Sequence, residues 1–402
     1  MTALLFIAGL VLLVAGGELL IRGSVRLAAR IGVSPLVVGL TIVAFGTSSP
    51  ELAVSIQAGL GGQADIAVGN IVGSNIFNVL FVLGLSALIV PLIVSEQLIR
   101  LDVPIMVAVS VLLLLLALDG RLSQLECALL AAGVIAYIVL QIFVSRRTGG
   151  GGVDIPEGAT QGHTGRVWVN LLLIVVGLSL LILGSRWLVQ SAVAIAELFG
   201  ISQLVIGLTV VAAGTSMPEV ATSVIAGLRG QRDIAVGNVI GSNIFNILAV
   251  LGFSGLITPG GIQISAGALA IDLPIMVAAA LLCLPIFLSH FSITRWEGLL
   301  FLVYYILYTT YIILDAANHH AVTGYRDVVV TVVLPLTLLT LIGFSLRSWQ
   351  SRNGAIGGGG SVGGNGGVRG GSSGSSGSSG KSGQKSGQKS GRKSGRSGGS
   401  PL

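Results

Sequence analysis

Residues Ala44–Glu51 read Ala-Phe-Gly-Thr-Ser-Ser-Pro-Glu, and Ala212–Glu219 read Ala-Ala-Gly-Thr-Ser-Met-Pro-Glu. Each stretch lies in an apolar run long enough to cross a bilayer, and each interrupts its own helix. Pro50 and Pro218 lack the amide proton that the helical ladder uses, and their rings crowd the preceding turn. Gly46 and Gly214 ease the distortion. Carbonyls released just upstream must find partners, because hydrocarbon offers none. A glutamate follows at once in both copies. A carboxylate at membrane depth costs roughly 2.5–3.5 kcal/mol or more and by default marks a functional site. Freed carbonyls, hydroxyls and a carboxylate together make a nest of hard oxygens suited to a cation such as Ca²⁺.

The surrounding composition fits a membrane setting. The 402 residues are 53% hydrophobic and 9% charged, with a mean hydropathy of +0.93, far too little charge for a soluble surface. The formal charge of +6 does not point to nucleic acid, because all four lysines lie beyond residue 380 and the other basic residues are arginines in short loops or the tail. Cys127 and Cys283 have no metal-ligand spacing and read as small packing residues. Met1–Ile21 is not a secretory signal, which needs basic residues before its apolar core; here Arg22, Arg26 and Arg30 come after it. It reads as a retained first span with the N-terminus outside.

Eleven runs of spanning length follow the chain, at about 2–21, 34–60, 66–92, 103–118, 124–144, 167–189, 202–228, 233–258, 272–289, 296–314 and 328–346. With the N-terminus outside, the inner loops hold ten arginines and the outer loops only Arg121, Arg186 and Arg326; the nine basic residues from Arg347 onward also fall inside. This asymmetry obeys the positive-inside rule and favours an odd number of spans.

An internal repeat sets the architecture. Ser34–Gly84 aligns without a gap on Ser202–Gly252, with 36 of 51 positions identical, and Leu101–Met106 matches Ile271–Met276. The expected fold class is therefore an all-α polytopic membrane protein of two five-helix repeats, residues 1–145 and 167–315, giving ten core transmembrane helices. Five is odd, so the second repeat enters the membrane inverted. Inverted repeats with helices interrupted at matching positions are a transporter architecture, with the site near the midplane. Residues 146–166 read as a cytosolic linker, 316–350 as an additional transmembrane helix, and 351–402 as a disordered Gly/Ser/Lys-rich tail. That tail either lies on anionic lipid or is passive and solvated.

The span after each break is rich in polar residues: Gly69–Asn78 (Gly-Asn-Ile-Val-Gly-Ser-Asn-Ile-Phe-Asn) and Gly237–Asn246 (Gly-Asn-Val-Ile-Gly-Ser-Asn-Ile-Phe-Asn). On a helix Asn70, Ser74 and Asn78 share one face, as do Asn238, Ser242 and Asn246. Gly69 and Gly73 form a small-xxx-small pair that permits close approach. Ser74, Asn78, Ser242 and Asn246 read as ligands. Asn70, Asn75, Asn238 and Asn243 read equally as ligands or as interhelical hydrogen-bonding glue. Asp65 and Asp233 suit N-caps, Asp102 and Asp272 sit before a proline as interfacial span starts, and His163, His290, His319 and His320 fall in loops. Glu18 breaks the pseudo-symmetry, because its counterpart is Arg186. There is no His-Glu-x-x-His, no phosphate-cradling loop and no nucleophile elbow, so neither ATP-driven pumping nor hydrolytic catalysis is expected, and no cofactor.

Gly-Thr-Ser-x-Pro-Glu followed by Gly-Asn-x-x-Gly-Ser-Asn-Ile-Phe-Asn, twice over, resembles the α-repeats of the calcium/cation antiporter superfamily, nearest its prokaryotic sodium/calcium exchangers. The resemblance covers about residues 1–315. It implies a secondary antiporter that exports Ca²⁺ against Na⁺ by alternating access. It also implies Glu51 and Glu219 as chief Ca²⁺ ligands, with oxygens from Thr47, Ser48, Thr215 and Ser216. The carbonyls of Ala44 and Ala212 would help to bind Na⁺, Ser74, Asn78, Ser242 and Asn246 would complete the sites, and the first and sixth helices would slide. Some family members carry an acid where this chain has Asn246, leaving two carboxylates here. Ca²⁺, Na⁺ or H⁺, and the bilayer are the expected partners, with no nucleic acid and no obligatory protein partner. The alternatives are an H⁺/Ca²⁺ antiporter using the same glutamates and, from another class, an uncoupled cation channel.

Overall fold

Ser34 starts the first broken span. Its hydroxyl accepts from the Val37 amide, Pro35 occupies the first helical turn, and Ser145 Oγ accepts from the Ser34 amide at 3.4 Å. The computed structural model describes residues 2–62, 64–147, 167–200, 212–317, 322–328 and 331. All of these belong to the first of two compact units, Met1–Asn353. Helix α1 is Thr2–Ile31; the broken span is α2, Pro35–Thr47, and α3, Ser49–Leu60, bent by 43° at Ser48. Next come α4 (Ala64–Phe77, running on through Asn78–Leu83 to Gly84–Ile89), α5 (Leu98–Asp119) and α6 (Gln124–Arg147).

The second half repeats this plan with α7 (Val167–Leu198), α8 (Ala212–Gly214), α9 (Met217–Leu228) and α10 (Arg232–Ile257). It continues with α11 (Ala268–Asp272 leading into Leu273–His290), α12 (Arg295–Ala316) and α13 (Val322–Val328). Among the described residues eight helices, or nine with the bent pair α2–α3, are long and apolar enough to span a membrane. The seventh expected span is described from residue 212 onward and appears as α8 and α9. The eleventh, at 328–346, lies almost wholly outside the described residues, as do the linker from residue 148 and the tail.

Two short antiparallel ladders lock the halves together. β1 (Leu92–Ile93) pairs with β4 (Ser292–Ile293), and β2 (Arg121–Leu122) pairs with β3 (Ile262–Gln263). Both pairs join one half to the other and exchange places under the pseudo-two-fold. Each must lie on a single membrane face, so the chain crosses an even number of times between its partners. Six crossings separate β1 from β4 (α5, α6, α7, α8–α9, α10 and α11) and four separate β2 from β3, which agrees with five spans per half. Capping boxes start the helices that follow β2 and β4. Ser123 with Glu126 opens α6 and Thr294 with Glu297 opens α12.

Expected and observed boundaries differ at the fourth and ninth spans. These were expected at 103–118 and 272–289, yet π-helical turns at Leu98–Asp102 and Ala268–Asp272 extend both helices N-terminally. Pro104 and Pro274 fall in the first turn after the π segment, whose wider turn makes room for a ring that cannot donate to the helical ladder. Asp102, expected at the interface, is instead fully buried. It accepts from Tyr137 at 3.3 Å and from Gln141, with Gln97 Nε2 at 3.5 Å. Asp272 takes the hydroxyl of Tyr308 at 3.0 Å in the equivalent place, so each aspartate ties its span to the next. Asp233 lies in the first turn of α10, whose N-cap is Gln231; the Asp65 side chain is outside the described set. His290 closes α11 and is not a loop residue.

Helices α4 and α10 form the centre, and the most apolar stretch of α10 is completely buried. Helix α2 crosses α10 at glycines: a Cβ on Gly241 would lie 2.7 Å from the Leu40 carbonyl oxygen, and one on Gly237 3.2 Å from that of Leu36. The segment that would face Gly69 and Gly73 by pseudo-symmetry lies at 204–208, outside the described residues. At the periphery α1 and α7 pack along their whole length. A Cβ on Gly9 would lie 2.8 Å from the carbonyl oxygen of Gly184, and one on Gly16 would lie 2.7 Å from that of Gly177. No side chain fits between backbones this close. Gly16→Val should therefore force the pair apart and cost about 1–3 kcal/mol, read as a lower midpoint in thermal unfolding of the detergent-solubilised protein; an unchanged midpoint would refute the close packing.

Candidate functional site

The breaks do more than bend the helices. Ser48 (φ −79°, ψ 4°) and Ser216 (φ −90°, ψ 9°) leave the helical region, and a new helix starts immediately after each. Glu51 and Glu219 thus stand in the first turns of α3 and α9, where unpaired amides carry partial positive charge that favours a carboxylate. Both are fully buried. Pro218 frees the carbonyl of Gly214, which accepts from Ser185 Oγ of α7 at 2.5 Å. At the equivalent place in the first half stands Gly17, which has no hydroxyl to offer.

The two halves interlock across the site. Glu51 Oε1 accepts from Ser216 Oγ at 2.9 Å and from Ser74 Oγ at 3.4 Å, and Ser216 Oγ also donates to Ser74 Oγ at 3.1 Å. Glu219 Oε1 accepts from Ser48 Oγ at 3.5 Å. Thr47 Oγ1 lies 3.1 Å from Asn238 Oδ1 and 3.4 Å from Ser242 Oγ, and Thr215 Oγ1 lies 3.5 Å from Asn70 Oδ1. Each glutamate is therefore held by a serine from the opposite motif. Each carboxylate thereby bonds the break of the other half.

What remains unpaired defines a centre. Glu51 Oε2, Glu219 Oε2, Asn78 Oδ1 and Asn246 Oδ1 are buried oxygens without a hydrogen-bond partner. Buried polar atoms in that state are rare, and two buried carboxylates of like charge call for a cation or a proton. Hard acceptor oxygens suit Ca²⁺ or Na⁺. Asn78 and Asn246 also begin π-helical stretches, Asn78–Leu83 and Asn246–Leu251, of the kind often found at functional positions.

The four ambiguous amides act as braces. Asn70 Nδ2 donates to the Glu51 carbonyl at 3.2 Å and to Ser55 at 3.0 Å, and Asn238 Nδ2 donates to Ser223 at 3.0 Å. Asn75 and Asn243 exchange bonds with each other's backbone carbonyls at 3.3 and 3.4 Å, and Asn75 Oδ1 accepts from Asn246 Nδ2 at 3.0 Å. The carbonyl of Ala44, which the resemblance implies for Na⁺, accepts from the Ser48 amide at 3.0 Å and from Thr47 Oγ1 at 3.3 Å. Ala212 is placed as the first residue of α8. Ser55 and Ser223 escaped notice in the sequence although they repeat at matching positions; Ser185 has no such repeat to flag it.

These features agree with the comparisons to known proteins. A family model described as sodium/calcium exchanger protein matches residues 1–143 and 169–314. The chain belongs to the sodium/calcium exchanger protein family. Among its relatives, the sodium/calcium exchanger MaX1 of Methanosarcina acetivorans is 33% identical over 76% of this chain and 96% of that protein. The inner membrane protein YrbG of Escherichia coli is 40% identical over 65% of this chain and 81% of its own length. A solved structure of the sodium-calcium exchanger NCX_Mj, soaked with Na⁺ and Sr²⁺, superposes with a TM-score of 0.65 at 32% identity, covering 76% of this chain and 96% of that one. The chain is accordingly a multi-pass membrane cation antiporter and not an enzyme.

Within this antiporter the pseudo-symmetry is broken around the site. A cavity of about 360 Å³ opens between α3, α7 and the α8–α9 segment, lined in part by Ser49, Gln57, Arg186, Gln190 and Thr215. The equivalent space between α9 and α1 is filled. Gly17 packs so closely on Ile225 that a Cβ there would lie 2.6 Å from its Cδ1. Glu18 meanwhile bridges Arg22 at 2.5 Å and Arg229, the C-cap of α9, at 2.9 Å. The space beside α3 is thus open, while the equivalent space beside α9 is closed by α1.

Proposed function

We propose that this chain exports Ca²⁺ across the plasma membrane in exchange for Na⁺, by alternating access to a site built on Glu51 and Glu219. The observation that carries the reading is the set of four buried, unpartnered oxygens, two of them carboxylate. Ser74, Asn78, Ser242 and Asn246 complete the ligand shell from α4 and α10. Ser48 and Ser216 supply hydroxyls that orient the carboxylates when the ion is absent, and these and the hydroxyls of Thr47 and Thr215 turn toward it when bound. The carbonyls of Ala44 and Ala212 serve Na⁺, the former by giving up the Thr47 hydroxyl bond. NCX_Mj, solved after soaking with Na⁺ and Ca²⁺ in work on extracellular ion exchange and binding-site occlusion, and MaX1, by its name a sodium/calcium exchanger, support this choice of ions.

Residues 1–145 and 167–315 form the two inverted repeats on this reading, joined by the cytosolic linker 146–166. The N-terminus faces out, and the additional helix at 316–350 returns the tail, 351–402, to the cytosol. The cavity beside α3 then opens to the outside, while the Glu18–Arg229 bridge closes the inner route. Ca²⁺ and Na⁺ compete for the same oxygens, and the glutamates must be ionised to hold either.

Proteoliposomes loaded with Na⁺, at equal pH on both sides, should take up Ca²⁺ along the outward Na⁺ gradient, undiminished by a proton ionophore. Uptake that ignores Na⁺ and follows an imposed pH gradient would make H⁺ the coupling ion. Glu51→Gln and Glu219→Gln should each abolish Ca²⁺ transport while leaving a folded protein. In thermal unfolding, Ca²⁺ at about 100 times its Kd should stabilise the wild type by about 2.7 kcal/mol and stabilise neither variant. Retained exchange in either one would sink the site assignment.

A further inference from the structure

The two access routes carry the same net charge at matching positions but differ in whether a carboxylate pairs with it. On the closed route Glu18 pairs with both Arg22, one turn along α1, and Arg229. On the open route the equivalent of Glu18 is Arg186, that of Arg22 is Gln190, and that of Arg229 is Gly61. Arg186 and Gln190 both line the cavity, with Thr215 of the second motif on the same wall, and Arg186 is exposed there. Its guanidinium is charged at any working pH. Gln57, Gln190, Ser49 and Thr215 contribute dipoles to the same wall but no counter-charge.

We infer that Arg186 is a charge-selective determinant of the open route, weakening Ca²⁺ binding from that side more steeply than Na⁺ binding. A fixed positive charge in a cleft with low-dielectric walls raises the potential along the path and at its end. An ion's local population then changes by a Boltzmann factor in its valence, so whatever factor applies to Na⁺ applies squared to Ca²⁺. A penalty of about threefold for Na⁺ becomes about tenfold for Ca²⁺, the size expected of one partly screened charge at cleft distances. On the proposed topology this is the outer face, where the charge favours departure of Ca²⁺ and opposes each entering Na⁺ less steeply than it opposes a Ca²⁺. The inference rests on the exchanger reading for its ions but not on which ion drives Ca²⁺.

Equilibrium binding of ⁴⁵Ca²⁺ and ²²Na⁺ to the purified full-length protein tests it. Arg186→Gln should bind Ca²⁺ about tenfold more tightly and Na⁺ about threefold more tightly per ion at low ionic strength. Both gains should collapse when choline chloride shortens the Debye length from about 30 Å at 0.01 M to about 3 Å at 1 M. Arg186→Lys should match the wild type. Gln190→Glu, which leaves Arg186 in place and pairs it one turn away, should reproduce the Arg186→Gln pattern even if that variant folds poorly. Unchanged affinities in Gln190→Glu and Arg186→Gln, equal shifts for the two ions, or an Arg186→Lys protein that behaves like Arg186→Gln would each overturn the inference. A wild type that binds neither ion would instead sink the exchanger reading itself.

Discussion

Two carboxylates buried side by side, each with one oxygen lacking a donor, are the constraint that the rest of the structure serves. Glu51 and Glu219 are tolerable in this interior because each begins a helix in mid-membrane, so that backbone amides face it. That placement requires the breaks at Ser48 and Ser216. The breaks require prolines, and the carbonyl freed by Pro218 requires Ser185. The serines at the breaks then reach the opposite half: Ser216 bonds Glu51, and Ser48 bonds Glu219. Neither half contains a finished site. Close approach of α2 to α10 at Gly237 and Gly241, and the Asn75–Asn243 exchange between α4 and α10, bring the halves near enough to complete it.

A duplicated sequence would by itself give two equal approaches beside this centre, and the structure has a cavity at one and a packed contact at the other. The inequality resides in residues that do not repeat. Gly17 lets α1 lie down on α9, and Glu18 fastens the contact through Arg229. Ser185 and Arg186 take their places on α7, and a cavity stands where the contact would be. On the proposed alternating access, exchanging these two arrangements would move α1 and α7 together, because the paired glycines along their shared face pack them backbone to backbone. The β1–β4 and β2–β3 ladders, in contrast, tie the loops that join α4 to α5, α5 to α6, α10 to α11 and α11 to α12 across the pseudo-two-fold. The pair α1–α7 is thus free of the ladders that brace the other helices.

Most of this was legible from residues 34–84 and 202–252 alone. The paired prolines and glutamates announced broken helices, the repeat announced inversion, and the polar stripes announced which spans line the centre. Local chemistry repeated at a fixed offset is a strong signal because packing by itself would not preserve a carboxylate at membrane depth. The missed features lack such a signal. The π-helical turns at Leu98–Asp102 and Ala268–Asp272 have no composition of their own, so an aspartate before a proline looked like a helix start. Asp102 looked interfacial because its partners, Tyr137 and Gln141, lie a full span away in sequence. Pro50 releases the carbonyl of Gly46, and nothing in the sequence shows that the Ala44 carbonyl takes both the Ser48 amide and the Thr47 hydroxyl. Which route stands open is a conformational fact, and two nearly identical halves cannot encode it in their shared residues.

The charge of the centre also bears on why transport by such a site would be coupled. With both glutamates ionised, the cavity carries two negative charges, and Asn78 and Asn246 add dipoles without adding charge. One Ca²⁺, or two Na⁺, brings the net charge to zero. The empty cavity keeps both charges uncompensated in a low-dielectric interior, where each buried unpaired charge costs several kcal/mol. Switching from one open route to the other requires passing through a state sealed from water on both sides, and that state is accessible only when the net charge is near zero. Loaded forms can therefore cross and the empty form cannot, which forces each Ca²⁺ leaving by one route to be replaced by a compensating load before the return. A third Na⁺ would bring the cavity to +1, with the same penalty as any other unmatched charge, unless one Na⁺ sits outside the carboxylate pair on neutral oxygens such as the Ala44 carbonyl. Obligatory exchange in this reading follows from electrostatics of two carboxylates and needs no separate gate for each ion.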